Sequence, residues 1–430
     1  MNDKTGCLKR IAGFVLFQLL IQLESVQKLF CAGSDYPQGF QDCWLPYGGK
    51  MRIHRSLHLT FLLVAGCLLM TACLGAGSTP TPAPRITSGG FECPEPEFPI
   101  PVEATELNIY VWTEYVPLEM IECFELIYSI KVNRSEYSSN EEMYEVVTTG
   151  GSNYDLVQPS DYMIELMARE GLLQELDREK LPVFGNFDPN YLDLEFDPAN
   201  KYTVPYQAGT TAIVVNTDAV DTIPRSWADL WNEEYAGRMV FLDDSRATIG
   251  MTLLTLGYDV NSTDPAQLQE AENKLSELIP NIKLFDSDSP KTALVAGVAD
   301  LGVTWTAEAL LAQQENPAIQ YIYPSEGAIL WQDNWAMLDN AAHADAAYAW
   351  LNYTMQGNVF WMMLRDFPYT NPNTAALEYA KANEPELYDL YTSSPITNTP
   401  ASVIGSGHRI SDVGEAAQLY DAIWARLLGK

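Results

Sequence analysis

The sequence predicts an α/β protein with two lobes, each a mainly parallel sheet flanked by helices. Its 430 residues are enough for two domains, and 47% hydrophobic with 19% charged residues is ordinary for a folded chain. From Leu107 onward, short β-rich runs alternate with helical segments in two successive series, which is the pattern of parallel sheets. The chain is expected to cross between the lobes near residues 208–213 and again near 330–333.

The first 104 residues are expected to lie outside the lobes. Residues 1–50 are interpreted as a non-native extension, and 51–72 combine arginines, an apolar run and small residues, as in a secretory signal peptide. The run "LLMTAC" resembles the lipobox of bacterial lipoproteins, so Cys73 is expected to carry lipid and residues 73–104 to form a flexible linker. A transmembrane segment at Phe14–Leu20 is the alternative for the extension, but it is short and interrupted by glutamines.

Cysteine usage agrees with export. The chain has seven cysteines, and those in the segments expected to be removed are Cys7, Cys31, Cys43 and Cys67. With Cys73 lipidated, Cys93 and Cys123 remain, and in an oxidising compartment they are predicted to form a disulfide that ties the linker to the first helix. Two free thiols are the alternative.

The first series of elements makes up the first part of lobe 1, residues 105–210. β-branched and aromatic runs predict its strands, and amphipathic segments that follow Pro, Ser or Asn predict its helices. The predicted strands are 107–112, 129–137 and 154–159, and the predicted helices are 117–128, 141–149 and 161–171.

The second series makes up lobe 2, residues 211–331. Residues 332–378 are predicted to return to lobe 1, and residues 379–430 to form a C-terminal helical part of lobe 2. The predicted elements are the strands 202–206, 210–216, 238–242 and 300–305 and the helices 226–231, 248–257, 265–279, 290–297, 307–314, 341–354, 373–382 and 415–428.

Acids and aromatics follow the ends of five predicted strands. Ligands of open parallel sheets bind beyond the carboxyl ends of the strands, so these side chains are expected to share one cleft. A formal net charge of −32 disfavours a nucleic-acid partner and favours a cationic ligand. An aliphatic polyamine needs this mixture, because its methylenes contact flat rings and its ammonium groups pair with carboxylates. The strand-end residues are Trp112, Glu114, Tyr115, Tyr162, Asp244, Trp305, Glu308, Trp331 and Asp333.

The chain from about residue 107 to 428 resembles the spermidine/putrescine-binding proteins of bacterial ABC importers. The resemblance is carried, in order, by "WTEYVP", "SNEEMY", "YDLVQPSDY", "SWADLW", "FLDDSR", "LGVTW", "ILWQDNWA" and "SDVGEAAQLYD". It implies a two-lobed periplasmic-binding-protein fold of type II, a polyamine ligand, and permease subunits as partners, with no cofactor. It also implies a set of ligand-contacting residues: Trp112, Thr113, Glu114, Tyr115, Ser160, Tyr162, Asp244, Trp305, Trp331 and Asp333.

Within that set, physical chemistry suggests individual roles. Asp333 and Glu114 are expected to pair with ammonium groups, and Asp244 is expected to hold the far amine. Trp305 and Trp331 are expected to flank the methylene chain.

Two positions depart from the family's spermidine binders. Ala247 stands where they carry a second acid, and Ile410 stands where they carry a glutamine. Glu308 resembles an acid of the putrescine binders and could restore the lost charge. The sequence therefore leaves the choice between putrescine and spermidine open.

Two other classes of function remain possible on the residues alone. One is a glycoside hydrolase with paired carboxylates, and the other is a binder of an amino acid, thiamine or Fe(III). His343 and His408 are isolated, so no metal site and no catalytic residues are expected. The protein is expected to be a monomer that is exported and either anchored through Cys73 to the outer face of the membrane or periplasmic.

Overall fold

The computed structural model describes residues 84–149 and 153–429. The predictions for the extension, the signal peptide and Cys73 fall outside these residues. Within the described residues, no helix combines the length and the hydropathy that crossing a bilayer requires.

The first part of lobe 1 follows the predicted order of strands and helices. Its three parallel strands place β1 between β2 and β3, with Leu107 opposite Val132 and Tyr110 opposite Val157. Ser139 caps the second helix by accepting a hydrogen bond from the amide of Glu142. The elements are β1 (Glu106–Trp112), α1 (Leu118–Tyr128), β2 (Lys131–Tyr137), α2 (Asn140–Thr148), β3 (Leu156–Val157) and α3 (Asp161–Arg169).

Two long antiparallel strands connect the lobes. β4 (Thr203–Asn216) joins two runs that the sequence suggested were separate, and it pairs with β9 (Ile329–Met337) through Ala208 opposite Gln332. β9 also pairs with β3 of lobe 1, whereas β4 pairs with the strands of lobe 2. The two predicted crossings therefore lie side by side in one continuous sheet.

Lobe 2 is built on three parallel strands, β5 beside β6 and β7, with helices on both faces. Two four-residue strands, β6 and β8, were not anticipated, because "IKLF" and "IQYI" are too short to give a periodic signal. The elements are β5 (Met239–Phe241), α4 (Ser245–Thr255), α5 (Pro265–Leu278), β6 (Ile282–Phe285), α6 (Pro290–Val295), β7 (Leu301–Trp305), α7 (Thr306–Glu315) and β8 (Ile319–Ile322).

The C-terminal elements divide between the lobes. Ala380 and Tyr391, in α11 and α12, are buried in the same core as Leu107 and Phe124 of lobe 1, whereas α14 packs on α4 and α5 of lobe 2. The predicted boundary at residue 379 therefore falls inside a helix that packs on lobe 1. The elements are α8 (Ala344–Thr354), α9 (Gly357–Phe360), α10 (Met362–Asp366), α11 (Thr374–Asn383), α12 (Pro385–Ser393), α13 (Ala401–Ser406), β10 (His408–Arg409) and α14 (Ala417–Leu428).

The described part of the predicted linker, residues 84–104, packs on lobe 1. Cys93 and Cys123 are joined by a disulfide, with their Cα atoms 5.3 Å apart. Farther along, the amide of Glu97 donates to the side-chain oxygen of Gln356 at 3.0 Å. These contacts order this end of the linker.

Candidate functional site

A cavity of about 70 Å³ lies between the lobes, at the carboxyl ends of β1 and β7 and beside the crossing strands. Residues from both lobes and from β9 surround it. The predicted site residues that line it are Trp112, Thr113, Tyr115, Ser160, Tyr162, Asp244, Trp305, Glu308, Trp331 and Asp333.

Asp333 is a buried acid of this cavity, with 6% of its surface exposed. Its carboxylate accepts hydrogen bonds from Tyr115 Oη at 2.7 Å and from Ser160 Oγ at 2.6 Å. Burial raises the pKa of Asp333 to about 7, although these two hydrogen bonds lower it. A cation placed beside this carboxylate would therefore strongly stabilise its charged form.

Ser160 stands at the N-cap position of α3, but its side chain makes no capping hydrogen bond. Its hydroxyl donates to Asp333 and accepts from Asn140 Nδ2 at 3.1 Å. The hydroxyl thus fixes the orientation of the Asp333 carboxylate rather than stabilising the helix.

Aromatic rings form the walls of the cavity. Trp112 donates its indole N–H to the carbonyl of Gln158 at 2.8 Å, and its ring meets Trp305 edge to face with centroids 6.5 Å apart. Trp331 packs edge to face on Tyr369 at 5.3 Å. By contrast, Trp335 is fully buried in the core, so the indoles that line the cavity are those of Trp112, Trp305 and Trp331.

The lobes are close together at this site. Trp112 belongs to lobe 1 and Trp305 to lobe 2, and an ion pair joins Glu114 of lobe 1 to Lys291 of lobe 2 at 2.9 Å. The arrangement is therefore that of a closed cleft.

Asp244 lines the cavity from lobe 2 and caps α4, because it accepts a hydrogen bond from the amide of Ala247 at 2.9 Å. Burial raises the pKa of Asp244. Nearby, Tyr162 donates to Glu141 at 2.8 Å, and burial followed by repulsion from Asp244 raises the pKa of Glu141 to about 7. This end of the cavity is consequently rich in carboxyl groups.

Glu114 differs from its predicted role. Glu114 is not among the residues that line the cavity, and its side chain is 53% exposed. Its backbone adopts a left-handed conformation with φ of 51°, and its carboxylate accepts a hydrogen bond from Lys291 Nζ at 2.9 Å. Lys291 also holds Glu308, with Nζ 3.0 Å from Oε1.

Sequence reasoning missed several residues of the site. Tyr369, in the loop after α10, and Asn140, at the start of α2, both line the cavity. The aromatic that follows Pro368 was a weak signal for Tyr369, whereas an asparagine beginning a helix is too common to stand out. The further lining residues are Asp161, Thr211, Ala247, Ser287, Asp288, Ile329 and Ile410.

In the part of the chain that the structure describes, the charged side chains that line the cavity are acidic. Among the described residues, the side chains that line the cavity include five carboxyl groups and no lysine, arginine or histidine. Asp161 is already paired with Arg409 at 3.1 Å, and burial raises its pKa to about 6. No cluster of three or more potential metal ligands is found in the described residues.

The chain is similar to proteins of known family. The model of the bacterial extracellular solute-binding proteins matches residues 119–388. The spermidine/putrescine-binding periplasmic protein of Escherichia coli K12 is 39% identical over 325 residues, which cover 75% of this chain and 91% of that protein.

Solved structures of similar fold lead to the same family. A spermidine/putrescine ABC transporter structure from Listeria monocytogenes matches with a TM-score of 0.72 and 30% identity, covering 76% of this chain and 99% of that one. A lipoprotein of Treponema pallidum matches with a TM-score of 0.65 and 27% identity, covering 75% and 99%. The predicted two-lobed periplasmic-binding-protein fold is thus confirmed, and the chain belongs to the bacterial extracellular solute-binding proteins.

Proposed function

We propose that this protein captures a polyamine, putrescine or spermidine, between its lobes and delivers it to the membrane permease of an ABC importer. The observation that carries the proposal is the lining of the cavity, in which carboxyl groups and indoles occur without a basic side chain among the described residues. The names of the E. coli and Listeria relatives support the same ligand class.

The energetics are on the scale of micromolar capture. An ammonium against the Asp333 carboxylate gains about 1.5–3 kcal/mol as a charged hydrogen bond. Each desolvated cation over an indole such as Trp305 or Trp331 adds about 2 kcal/mol. Two contacts of each kind total about 7–10 kcal/mol before ordering costs, which brackets the roughly 8 kcal/mol of micromolar binding.

An amino-acid ligand fits the cavity poorly. It would need a basic side chain facing its carboxylate, and Arg246 is the basic residue that lies beside the cavity residue Asp244 in sequence. In the structure Arg246 is 4% exposed, donates to the carbonyl of Ser411 at 2.9 Å, and lies over the rings of Tyr162 and Tyr420. Arg246 does not line the cavity.

Calorimetric titration tests the proposal. Putrescine and spermidine are expected to bind with micromolar or lower Kd, and glutamate and thiamine are not. Asp333→Asn should weaken amine binding by about 10- to 150-fold, the loss of one charged hydrogen bond. Asp339→Asn is the matched control, since Asp339 is exposed and outside the cavity. Binding of an amino acid in place of the amines would refute the proposal.

We also propose that Cys73 anchors the protein to the outer face of the membrane. Lipid on this cysteine would keep the binder close to its permease. The lipobox-like "LLMTAC" and the name of the Treponema relative support the anchor. Radiolabelled palmitate should label the wild type and Cys67→Ser, whereas Cys73→Ser should stay unlabelled. Labelling of Cys73→Ser would refute the anchor.

A further inference from the structure

Lys291 forms a cationic bridge at the edge of the cavity. It lies in the first turn of α6 in lobe 2, and its side chain is 19% exposed. Its ammonium lies 2.9 Å from Glu114 Oε2, 3.0 Å from Glu308 Oε1 and 3.0 Å from Ser289 Oγ. One lysine thus contacts a carboxylate from each lobe.

The bridge occupies an acid that lines the cavity. The Glu308 side chain is 8% exposed, and besides the ammonium it accepts a hydrogen bond from the backbone amide of Lys291 at 3.2 Å. Burial alone would lower the pKa of Lys291, but Glu308 and Glu114 raise it above its usual value, so the ammonium stays protonated. A ligand cation could pair with Glu308 only by displacing a charge that is already fixed there.

Two other carboxyl groups of the cavity, those of the buried Asp333 and the half-buried Asp244, have no such cation. Asp333 accepts hydrogen bonds from hydroxyls, and Asp244 accepts one from a backbone amide. Among the described residues, neither lies within ion-pair distance of a basic side chain. Of the remaining lining acids, Asp161 is paired with Arg409 and Asp288 is exposed. Within the cavity, Asp333 and Asp244 are therefore the acids best placed to pair with ligand nitrogens.

We propose that Lys291 is a specificity-determining residue, an internal ammonium that fills the third cationic position and makes the cavity prefer a diamine to a triamine. This inference rests on the proposed function, because it concerns the same cavity. A diamine places its two ammonium groups at Asp333 and Asp244. With the other two lining acids paired or exposed, the buried acid left for the third charge of a triamine is Glu308, beside the Lys291 ammonium, and the two like charges repel.

Titration of putrescine and spermidine into the wild type and into Lys291→Met at pH 8 tests the inference. The wild type should bind putrescine more tightly. Lys291→Met frees Glu308 for a third ammonium and should raise the affinity for spermidine relative to putrescine about tenfold or more, the scale of one charged hydrogen bond. Lys291→Arg should keep the wild-type ratio, because it keeps the cation.

Two controls separate the effect from general charge and folding. Lys283→Met removes an exposed lysine of the same lobe and should leave the ratio unchanged. Lys291→Met combined with Glu308→Gln removes both partners and should lose the gain for spermidine. An unchanged ratio in Lys291→Met, or a wild type that prefers spermidine, overturns this inference alone. A wild type that binds neither amine overturns the proposed function, and the inference with it.

Discussion

The clearest quantitative prediction concerns the pH dependence of ligand affinity. Asp333 has a pKa of about 7 in the ligand-free cavity, because burial disfavours its charged form. An ammonium ligand pairs with the ionised form of Asp333. At any pH at which Asp333 is protonated, binding must therefore release this proton. Affinity should therefore fall as the pH is lowered through 7, and stay nearly constant above pH 8.

The magnitude follows from simple titration. With a pKa of about 7, the carboxyl group is roughly 90% protonated at pH 6 and roughly 10% at pH 8. Kd for putrescine should therefore rise about tenfold between pH 8 and pH 6. At pH 7 each binding event should release roughly half a proton.

Calorimetry in two buffers of different ionisation enthalpy measures both quantities. Glu141, whose pKa is also about 7, is the alternative source of the proton, but it does not line the cavity. Glu141→Gln should therefore keep the pH dependence, whereas Asp333→Asn should remove most of it along with most of the affinity. Burial also raises the pKa of Asp244, so a weaker dependence should remain in Asp333→Asn. A Kd that is constant from pH 6 to pH 8 would refute the assignment of Asp333 as the buried ammonium partner.

Three further predictions concern stability and shape. Since the pKa of Asp333 is raised on folding, its contribution to stability is lost as the pH rises through about 7. Asp333→Asn should therefore raise the ligand-free unfolding free energy at pH 8 by up to about 4 kcal/mol, seen as a higher melting temperature. In Gly209→Ala the added methyl would overlap the indole ring of Trp331, so the ring should shift and putrescine affinity should fall in calorimetry. Replacing both Cys93 and Cys123 by serine removes a disulfide between residues that are 30 positions apart in sequence. The variant should lose about 3–4 kcal/mol of unfolding free energy in denaturant titration and keep the wild-type affinity.

Each of these predictions has its own control and refutation. Asp339→Asn should leave the pH 8 melting temperature unchanged, and a lower melting temperature in Asp333→Asn would contradict the burial cost. Gly185→Ala places its methyl in open space and should bind like the wild type. Equal affinity in Gly209→Ala would show that the position of Trp331 is unimportant. Wild-type stability in the serine variant would mean that the disulfide does not constrain the unfolded chain.

The fold was predictable because its signals are local. Strand runs that end in acids and rings, such as the one that ends at Trp112, alternate with capped helices, and the carboxyl ends of parallel strands meet at one edge of a sheet. That geometry brought Trp112, Ser160 and Trp305 to one cavity, as expected. The long crossing strand β4 appeared as two runs because Gln207, Ala208 and Gly209 interrupt its pattern of β-branched and aromatic residues.

What the sequence did not anticipate has physical causes of a different kind. Glu114 was expected to pair with an ammonium because it follows the end of a strand, and the structure pairs it with Lys291, outside the lining of the cavity. Its partner Lys291 lies 177 residues away in sequence, in an ordinary helix start, and no local pattern marks a lysine that will pair across a cleft. Tyr369 likewise reaches the cavity only through the packing of its loop. Long-range pairing of this kind is decided by tertiary contacts.

A crystal structure of the protein with putrescine tests the central claim most directly. We expect one amine nitrogen within hydrogen-bond distance of the Asp333 carboxylate, the methylene chain between the rings of Trp305 and Trp331, and the Lys291 bridge to Glu308 intact. A ligand bound elsewhere, or an ammonium group that leaves Asp333 with only its hydroxyl partners, would contradict the account.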